Sequence, residues 1–292
     1  MSEYRPQVAV VTGASRGAGK GIAIGLGSRG MTVYVTGRAQ GAGGGKMLGR
    51  NLPGTLEETA AAVTRAGGQG IAVVCDSMRD EEQRALMERV KRESGRLDIL
   101  HNNATYIHDL LVEPGPFWEK PLELVRIIDV GLRSAYVASF YAAPLMVKQG
   151  RGLITFSSSF GGGCYMHGPA YGAQKSGVDK LAADMAVDFE NTGVATASLW
   201  LGPQKTERSV IAVQEKPEQY TAFMAVAETP EFNGRVLHAL ACDPKLTSRS
   251  GQTLITAELA AEYGIKDEGD RQPPSYRDAL GAPRVPHPAR VM

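Results

Sequence analysis

Tyr171 and Lys175 stand four residues apart in a helical stretch, so their side chains share one face. Ser158 lies thirteen residues before the tyrosine, just past the end of an apolar run that reads as a strand. Taken alone, a Tyr-x-x-x-Lys pair is a common structural feature of helices. The segment Thr12-Gly13-Ala14-Ser15-Arg16-Gly17-Ala18-Gly19 is more pointed, because it sits where a strand hands over to a helix. Gly13 permits the tight turn, Gly17 lets the backbone approach a pyrophosphate, and Gly19 allows close helix–strand packing. The pyrophosphate then rests on the exposed N–H groups of the helix N-terminus. A Walker A loop fails on two positions: Ala14 replaces its first glycine, and Gly21 stands where Ser or Thr must hold Mg²⁺. After the second strand, Val35-Thr36-Gly37-Arg38 offers no carboxylate for a ribose 2′-hydroxyl. Arg16 and Arg38 instead suit the 2′-phosphate of NADP(H), which is expected over NAD(H).

These groups need a scaffold, and the apolar pattern predicts one. Short β-branched runs at 8–12, 31–36, 71–75, 97–101, 153–157, 194–200 and 252–256 read as strands. Helical patterns at 21–29, 56–65, 80–94, 121–147 and 170–190 separate them. The strands are nearly continuous apolar runs, as expected when helices cover both faces of a parallel sheet. The expectation is an α/β fold, a single Rossmann-type doubly wound parallel sheet spanning residues 1–265. A glycine-rich surface loop is expected at 40–54, and an irregular segment at 204–234. A Pro-rich tail at 266–292 is not expected to add to the core.

Composition excludes several classes. Of 292 residues, 32 are Lys or Arg and 31 are Asp or Glu, leaving a formal charge of +1. That balance provides no basic field for nucleic acid or an anionic membrane surface. A hydrophobic content of 43% excludes wholesale disorder. The longest near-apolar stretch, 135–147, is too short to span a bilayer. Cys75, Cys164 and Cys242 are widely spaced, so neither a disulfide framework nor a metal site is expected. No signal peptide is visible, and a cytoplasmic location fits.

Together the glycine turn, Asp76, Asn102-Asn103-Ala104, Ser158 and Tyr171-x-x-x-Lys175 resemble the short-chain dehydrogenase/reductase family over roughly residues 8–264. Phe117-Trp118-Glu119, Val130-Gly131-Leu132-Arg133, Leu181-Ala182-Ala183-Asp184 and Ala241-Cys242-Asp243-Pro244 make it look most like the dehydrogenase/reductase member 1 branch. The resemblance implies an NADP(H)-dependent oxidoreductase moving hydride between nicotinamide and a carbonyl or secondary alcohol, with apolar ketones, aldehydes or steroid-like molecules as substrates. It implies catalytic roles for three residues. Tyr171 is the general acid, Ser158 bonds the substrate oxygen, and Lys175 lowers the tyrosine pKa and holds the nicotinamide ribose. It implies cofactor contacts at Gly13, Ser15, Arg16, Gly17, Ala18, Gly19, Arg38, Asp76, Asn102, Asn103, Ala104, Tyr171, Lys175, Gly202 and Thr206.

The chain departs from the family pattern at three places. A helix-bending asparagine that holds a relay water is expected at position 131, which is Gly131. Thr105 replaces a glycine after Asn-Asn-Ala, and Leu201-Gly202-Pro203-Gln204-Lys205-Thr206 alters the loop after Trp200. These departures motivate an alternative, a catalytically impaired NADP-binding regulatory or scaffold protein. Residues 106–118, with Phe223 and Met224, are expected to wall an apolar substrate cleft. His108 and His167 receive no catalytic role. Small apolar outer positions, Ala135, Ala138, Ala142, Ala182 and Ala186, lie on helices that form dimer faces in the family, implying a homodimer or homotetramer.

Overall fold

The computed structural model describes residues 7–38 and 45–291. Seven strands form one parallel sheet: β1 (Val8–Val11), β2 (Thr32–Gly37), β3 (Gln69–Val74), β4 (Ile99–Asn102), β5 (Gly152–Ser158), β6 (Val194–Trp200) and β7 (Gln252–Ile255). Their spatial order is β3-β2-β1-β4-β5-β6-β7. All seven residues of β6 are buried, which explains an apolar run with no alternation.

Helices α1 (Gly17–Gly27), α2 (Leu56–Arg65), α3 (Asp80–Ser94), α4 (Ser134–Gln149) and α5 (Pro169–Asp188) connect the first six strands. One apolar core, with Ile22, Leu26, Leu56 and Phe232, covers one face of the sheet. A second, with Leu86, Val90, Ala138 and Phe156, covers the other. Winding reverses between β1 and β4, where Val11 pairs with Val35 on one side and His101 on the other. In a sheet of this kind that switch point opens the ligand crevice at the carboxyl ends of the strands.

Several expectations need correction. The stretch 204–234 is helical: α6 (Glu207–Glu215), α7 (Pro217–Val226) and the start of α8 (Pro230–Cys242) occupy it. Residues 40–44 of the expected surface loop lie outside the described residues. Its remainder contains a short antiparallel pairing of Lys46–Met47 with Arg50–Asn51. The expected long helix 121–147 is broken into a 3₁₀ turn, one α turn, a π turn at Asp129–Arg133 and then α4.

The tail does contribute to a core. Tyr276 and Leu280 pack on Phe160 and Trp200, and buried Asp267 accepts from the Thr229 N–H at 2.9 Å. Four of the five alanines expected on outer positions are misplaced, while Ala186 is half-buried. Ala135, Ala138, Ala142 and Ala182 are buried against the sheet, where small side chains let α4 and α5 sit close.

Candidate active site

The β1–α1 turn is fixed by its neighbour across the switch point. The Thr12 hydroxyl accepts the N–H groups of Asn103 and Ala104, both at 3.0 Å. The Asn103 amide donates back to the Thr12 and Gly13 carbonyls at 3.0 and 3.2 Å. Gly13 has φ +63°, and a Cβ there would lie 2.7 Å from Ala104 Cα. A Cβ on Gly19 would lie 2.4 Å from the Asn103 amide nitrogen. Asn102 points the other way and donates to Ser139 Oγ at 3.2 Å, which ties β4 to α4.

One carboxylate already sits where α1 begins. The Gly17 N–H donates to Glu207 Oε2 at 2.8 Å, and Lys20 Nζ lies 3.4 Å from Oε1. Arg16 donates to the carbonyls of Pro53 and Gly54 at 3.1 and 2.8 Å. Burial lowers its pKa, Glu207 raises it, and the charge of nearby Arg38 lowers it again. Asp76, just past β3, accepts the Met78 N–H at 3.0 Å.

The loop after β6 rests on Glu228, a fully buried residue that sequence reasoning missed. Its N–H donates to the Pro203 carbonyl at 2.7 Å, and its carboxylate accepts from the Gln204 and Asn233 amides at 2.7 and 3.0 Å. Burial pushes its carboxyl up to about 7, against those donors. Gly202 is a glycine for space, since a Cβ would lie 2.5 Å from Glu228 Oε1. Thr206 caps α6, its hydroxyl accepting the Ser209 N–H at 3.3 Å.

Tyr171 and Lys175 lie one turn apart on α5. The serine at the tyrosine is not the expected one. Tyr171 Oη bonds Ser159 Oγ at 2.9 Å, whereas the buried Ser158 hydroxyl donates to the Lys175 carbonyl at 3.4 Å. Successive side chains at the end of a strand point to opposite faces, so adjacent serines cannot both reach the tyrosine. Lys175 Nζ donates to the Ser157 carbonyl at 3.0 Å and lies 5.4 Å from the centre of the Tyr171 ring.

Charge tuning also differs from expectation. Burial raises the Tyr171 pKa, the Ser159 hydrogen bond lowers it, and Cys164 raises it. Burial brings Lys175 down to about 8, with Asp179 acting against the shift. Behind Ser157, His101 is clamped between the Thr155 and Ser157 hydroxyls at 2.9 Å each, and burial drives its pKa to about 3, so it is neutral.

His167 has φ +57° and sets its ring edge-on to Tyr171, with centroids 5.0 Å apart. Burial and the Lys120 charge lower its pKa. Beside it a cavity of about 190 Å³ is lined by Phe117, Lys120, Leu124, Val125, His167 and Ala170. Phe223 and Met224, expected in the cleft wall, do not line this cavity. Position 131 lies in the π turn, and the volume a side chain would need there is filled by Gln174. Among the described residues no group of His, Cys, Asp and Glu could hold a metal, and no helix is long and apolar enough to cross a membrane.

Comparison with known proteins identifies the family. Residues 7–217 match the short chain dehydrogenase family. Mouse Dehydrogenase/reductase SDR family member 1 is 41% identical over 287 residues, covering 94% of this chain and 88% of that protein. The human protein of the same name is 41% identical over 281 residues, covering 92% and 86%. A crystal structure from Xanthomonas campestris, 24% identical, superposes with a TM-score of 0.74 over 96% of this chain and 97% of its own, a likeness of fold alone.

Proposed function

Because the chain belongs to the short-chain dehydrogenase/reductase family of oxidoreductases, we propose that it is an NADP(H)-dependent carbonyl reductase, reversible as an alcohol dehydrogenase. Apolar ketones, aldehydes or steroid-like molecules are the proposed substrates. The observation that carries this reading is the Tyr171 hydroxyl, held at 2.9 Å by Ser159 one helical turn from Lys175. A nicotinamide dinucleotide supplies or accepts the hydride. Residues present here fit such a cofactor: the glycine turn admits a close backbone approach, and the Gly17 N–H already holds a carboxylate where a phosphate would sit. Arg16 and Arg38, close enough to feel each other's charge, support the 2′-phosphate and hence NADP(H).

Tyr171 gives its proton to the carbonyl oxygen during reduction. Burial that raises its pKa keeps that proton in place at neutral pH, the form that reduction requires. Alcohol oxidation needs the phenolate and rises with pH. Lys175 carries its charge below about pH 8 and loses it above, so its help to the phenolate fades on the alkaline side. Ser159 positions the substrate oxygen against the phenol. The outward face of α4, with Tyr136 and Phe140 exposed, supports a homodimer or homotetramer. Cysteines without a disulfide among the described residues support a reducing, cytoplasmic setting.

Carbonyl-dependent oxidation of NADPH tests the proposal. Tyr171→Phe is expected to lower turnover by about 10²–10⁴-fold while NADPH binding, read by fluorescence, stays intact. Ser159→Ala is expected to lower kcat more than Ser158→Ala. Full activity in Tyr171→Phe overturns the assignment of the acid. Cofactor binding without turnover, across steroids, quinones and aromatic aldehydes, favours the scaffold reading.

A further inference from the structure

His101 is fully buried on β4, in the middle of the sheet, and the reaction proposed above makes no use of it. It pairs with Thr155 of β5, and Ser157 lies two residues further along the same face of that strand. Both ring nitrogens meet a hydroxyl: Nδ1 lies 2.9 Å from Thr155 Oγ1, and Nε2 lies 2.9 Å from Ser157 Oγ. Ser157 Oγ is also 3.2 Å from Asn103 Oδ1, while the Ser157 carbonyl holds Lys175 Nζ at 3.0 Å. The Asn103 amide nitrogen reaches on to the Thr12 and Gly13 carbonyls. A continuous row of hydrogen bonds therefore runs from β5 through His101 to the glycine turn.

Proton counting gives this row a direction. The Thr12 and Gly13 carbonyls can only accept, so the Asn103 amide nitrogen faces them and Oδ1 remains an acceptor. Ser157 is the donor that meets Oδ1, and its single hydroxyl proton is used there. Ser157 Oγ must then accept from His101, which puts a proton on Nε2. Burial keeps the ring neutral, and a neutral imidazole has one N–H, so Nδ1 accepts from the Thr155 hydroxyl. The reverse direction sends the Thr155 proton to the Leu100 carbonyl at 3.4 Å, inside the strand ladder. It also leaves Asn103 Oδ1 with no donor among the described residues, a cost the first direction avoids.

We propose that His101, held as its Nε2–H tautomer, is a positioning residue for dinucleotide binding: it turns the Ser157 hydroxyl onto Asn103, and Asn103 in turn fixes the glycine turn. This rests on the proposed function above. His101 acts through Ser157 and Asn103, so its loss is felt in cofactor affinity before it is felt in the chemical step. Without the Nε2 donor, the Ser157 hydroxyl is free to turn away, and Asn103 Oδ1 loses the bond that orients its amide.

The tautomer is read first, by NMR of the full wild-type chain carrying isotope-labelled histidine, with the His101 ring signals identified by their contacts to Thr155. A proton on Nε2 and a bare Nδ1 are expected. A proton on Nδ1, or on both nitrogens at neutral pH, overturns the inference. Two variants then ask which nitrogen matters, because a glutamine amide can put its nitrogen where Nε2 stood and an asparagine amide reaches only the place of Nδ1. His101→Gln is expected to keep NADPH affinity within about twofold of wild type, and His101→Asn to weaken it about tenfold. The KM for NADPH should follow the same order, with KM for the carbonyl substrate little changed. Equal NADPH affinity in the two variants points to packing alone and overturns the inference; if neither variant folds, the wild-type tautomer decides. Wild type that binds no nicotinamide dinucleotide removes the proposed function itself. Wild type that binds and turns over, with the two variants alike, removes only this inference.

Discussion

Either side of Tyr171 the chain is held by different means. On the glycine-turn side, Thr12, Gly13, Asn103 and Ala104 are stitched together by backbone and amide hydrogen bonds of 3.0–3.2 Å, with no spare volume at Gly13 or Gly19. On the aromatic side, residues 107–113 are tied by partly exposed ion pairs, Asp109 to Arg208 of α6 at 3.6 Å and Glu113 to Lys216, between α6 and α7, at 2.7 Å. Phe117 and Trp118 there are 61% and 72% exposed. Partly exposed pairs of this kind contribute little, roughly 0–1 kcal/mol each. Under the proposed function, the surface that would fit a dinucleotide is fixed by backbone geometry, whereas the surface that would meet apolar substrates is braced by partly exposed ion pairs.

Gly19→Ala is the strongest attack on that contrast. Its methyl group would meet the Asn103 amide at 2.4 Å and the Gly13 carbonyl at 2.7 Å. Asn103 must then give up bonds to Thr12 and Gly13, and overpacking adds its own cost. The expected loss is roughly 2–4 kcal/mol in urea unfolding, together with loss of dinucleotide binding in a fluorescence titration. Wild-type affinity in this variant would show that the turn yields, and the contrast between the sides would disappear.

What could be read in advance follows the same division. The α2 and α3 bounds match the expectation because their signals are local. Thr55 and Glu58 form a capping box on α2, and three acidic residues open α3. The glycine turn was legible because each glycine answers a backbone demand. Spacing from Tyr171 pointed to Ser158, but spacing says nothing about which serine faces the tyrosine where β5 ends. The alanines of α4 were placed outside because a stretch rich in small residues does not reveal which face is buried. Segment 204–226 hid its helices for a related reason. No residue of α7 is buried, so no apolar stripe marks it, and only Thr206 and Pro217 signalled the helix starts. In the tail, Tyr276 finds Phe160 through a contact that no local pattern encodes.

Glu207 is where the two sides touch, since it starts α6 yet accepts from Gly17 on α1. A carboxylate on the N–H groups and positive dipole of a helix start competes with phosphate oxygens for the same donors. Glu207→Gln removes the charge and keeps the shape. The expected result is NADP(H) affinity higher by about three- to tenfold, near 0.7–1.4 kcal/mol, by calorimetry with the dinucleotide and with adenosine 2′,5′-bisphosphate. Weaker binding would instead make Glu207 a group that orders the site, and would extend the rigid side into α6.

Trp118→Ala probes the loosely braced side and carries the smallest effect on the fold. The indole meets Phe117 edge-on, with centroids 5.4 Å apart and planes at 83°, and is otherwise largely in water. A surface truncation of this kind changes stability by no more than about 0.5 kcal/mol. Its consequence belongs to substrate recognition. Phe117 lines the cavity beside His167 and Trp118 packs edge-on against it, so under the proposed function a bulky apolar substrate would meet both rings. KM for a steroid-sized ketone is expected to rise about threefold with kcat unchanged, the mark of binding that is equal in ground and transition states. Benzaldehyde, small enough for the 190 Å³ cavity without the rim, should be unaffected. Equal changes for both substrates would place Trp118 in the folding of residues 106–125, and the aromatic side would then be as tightly built as the glycine turn.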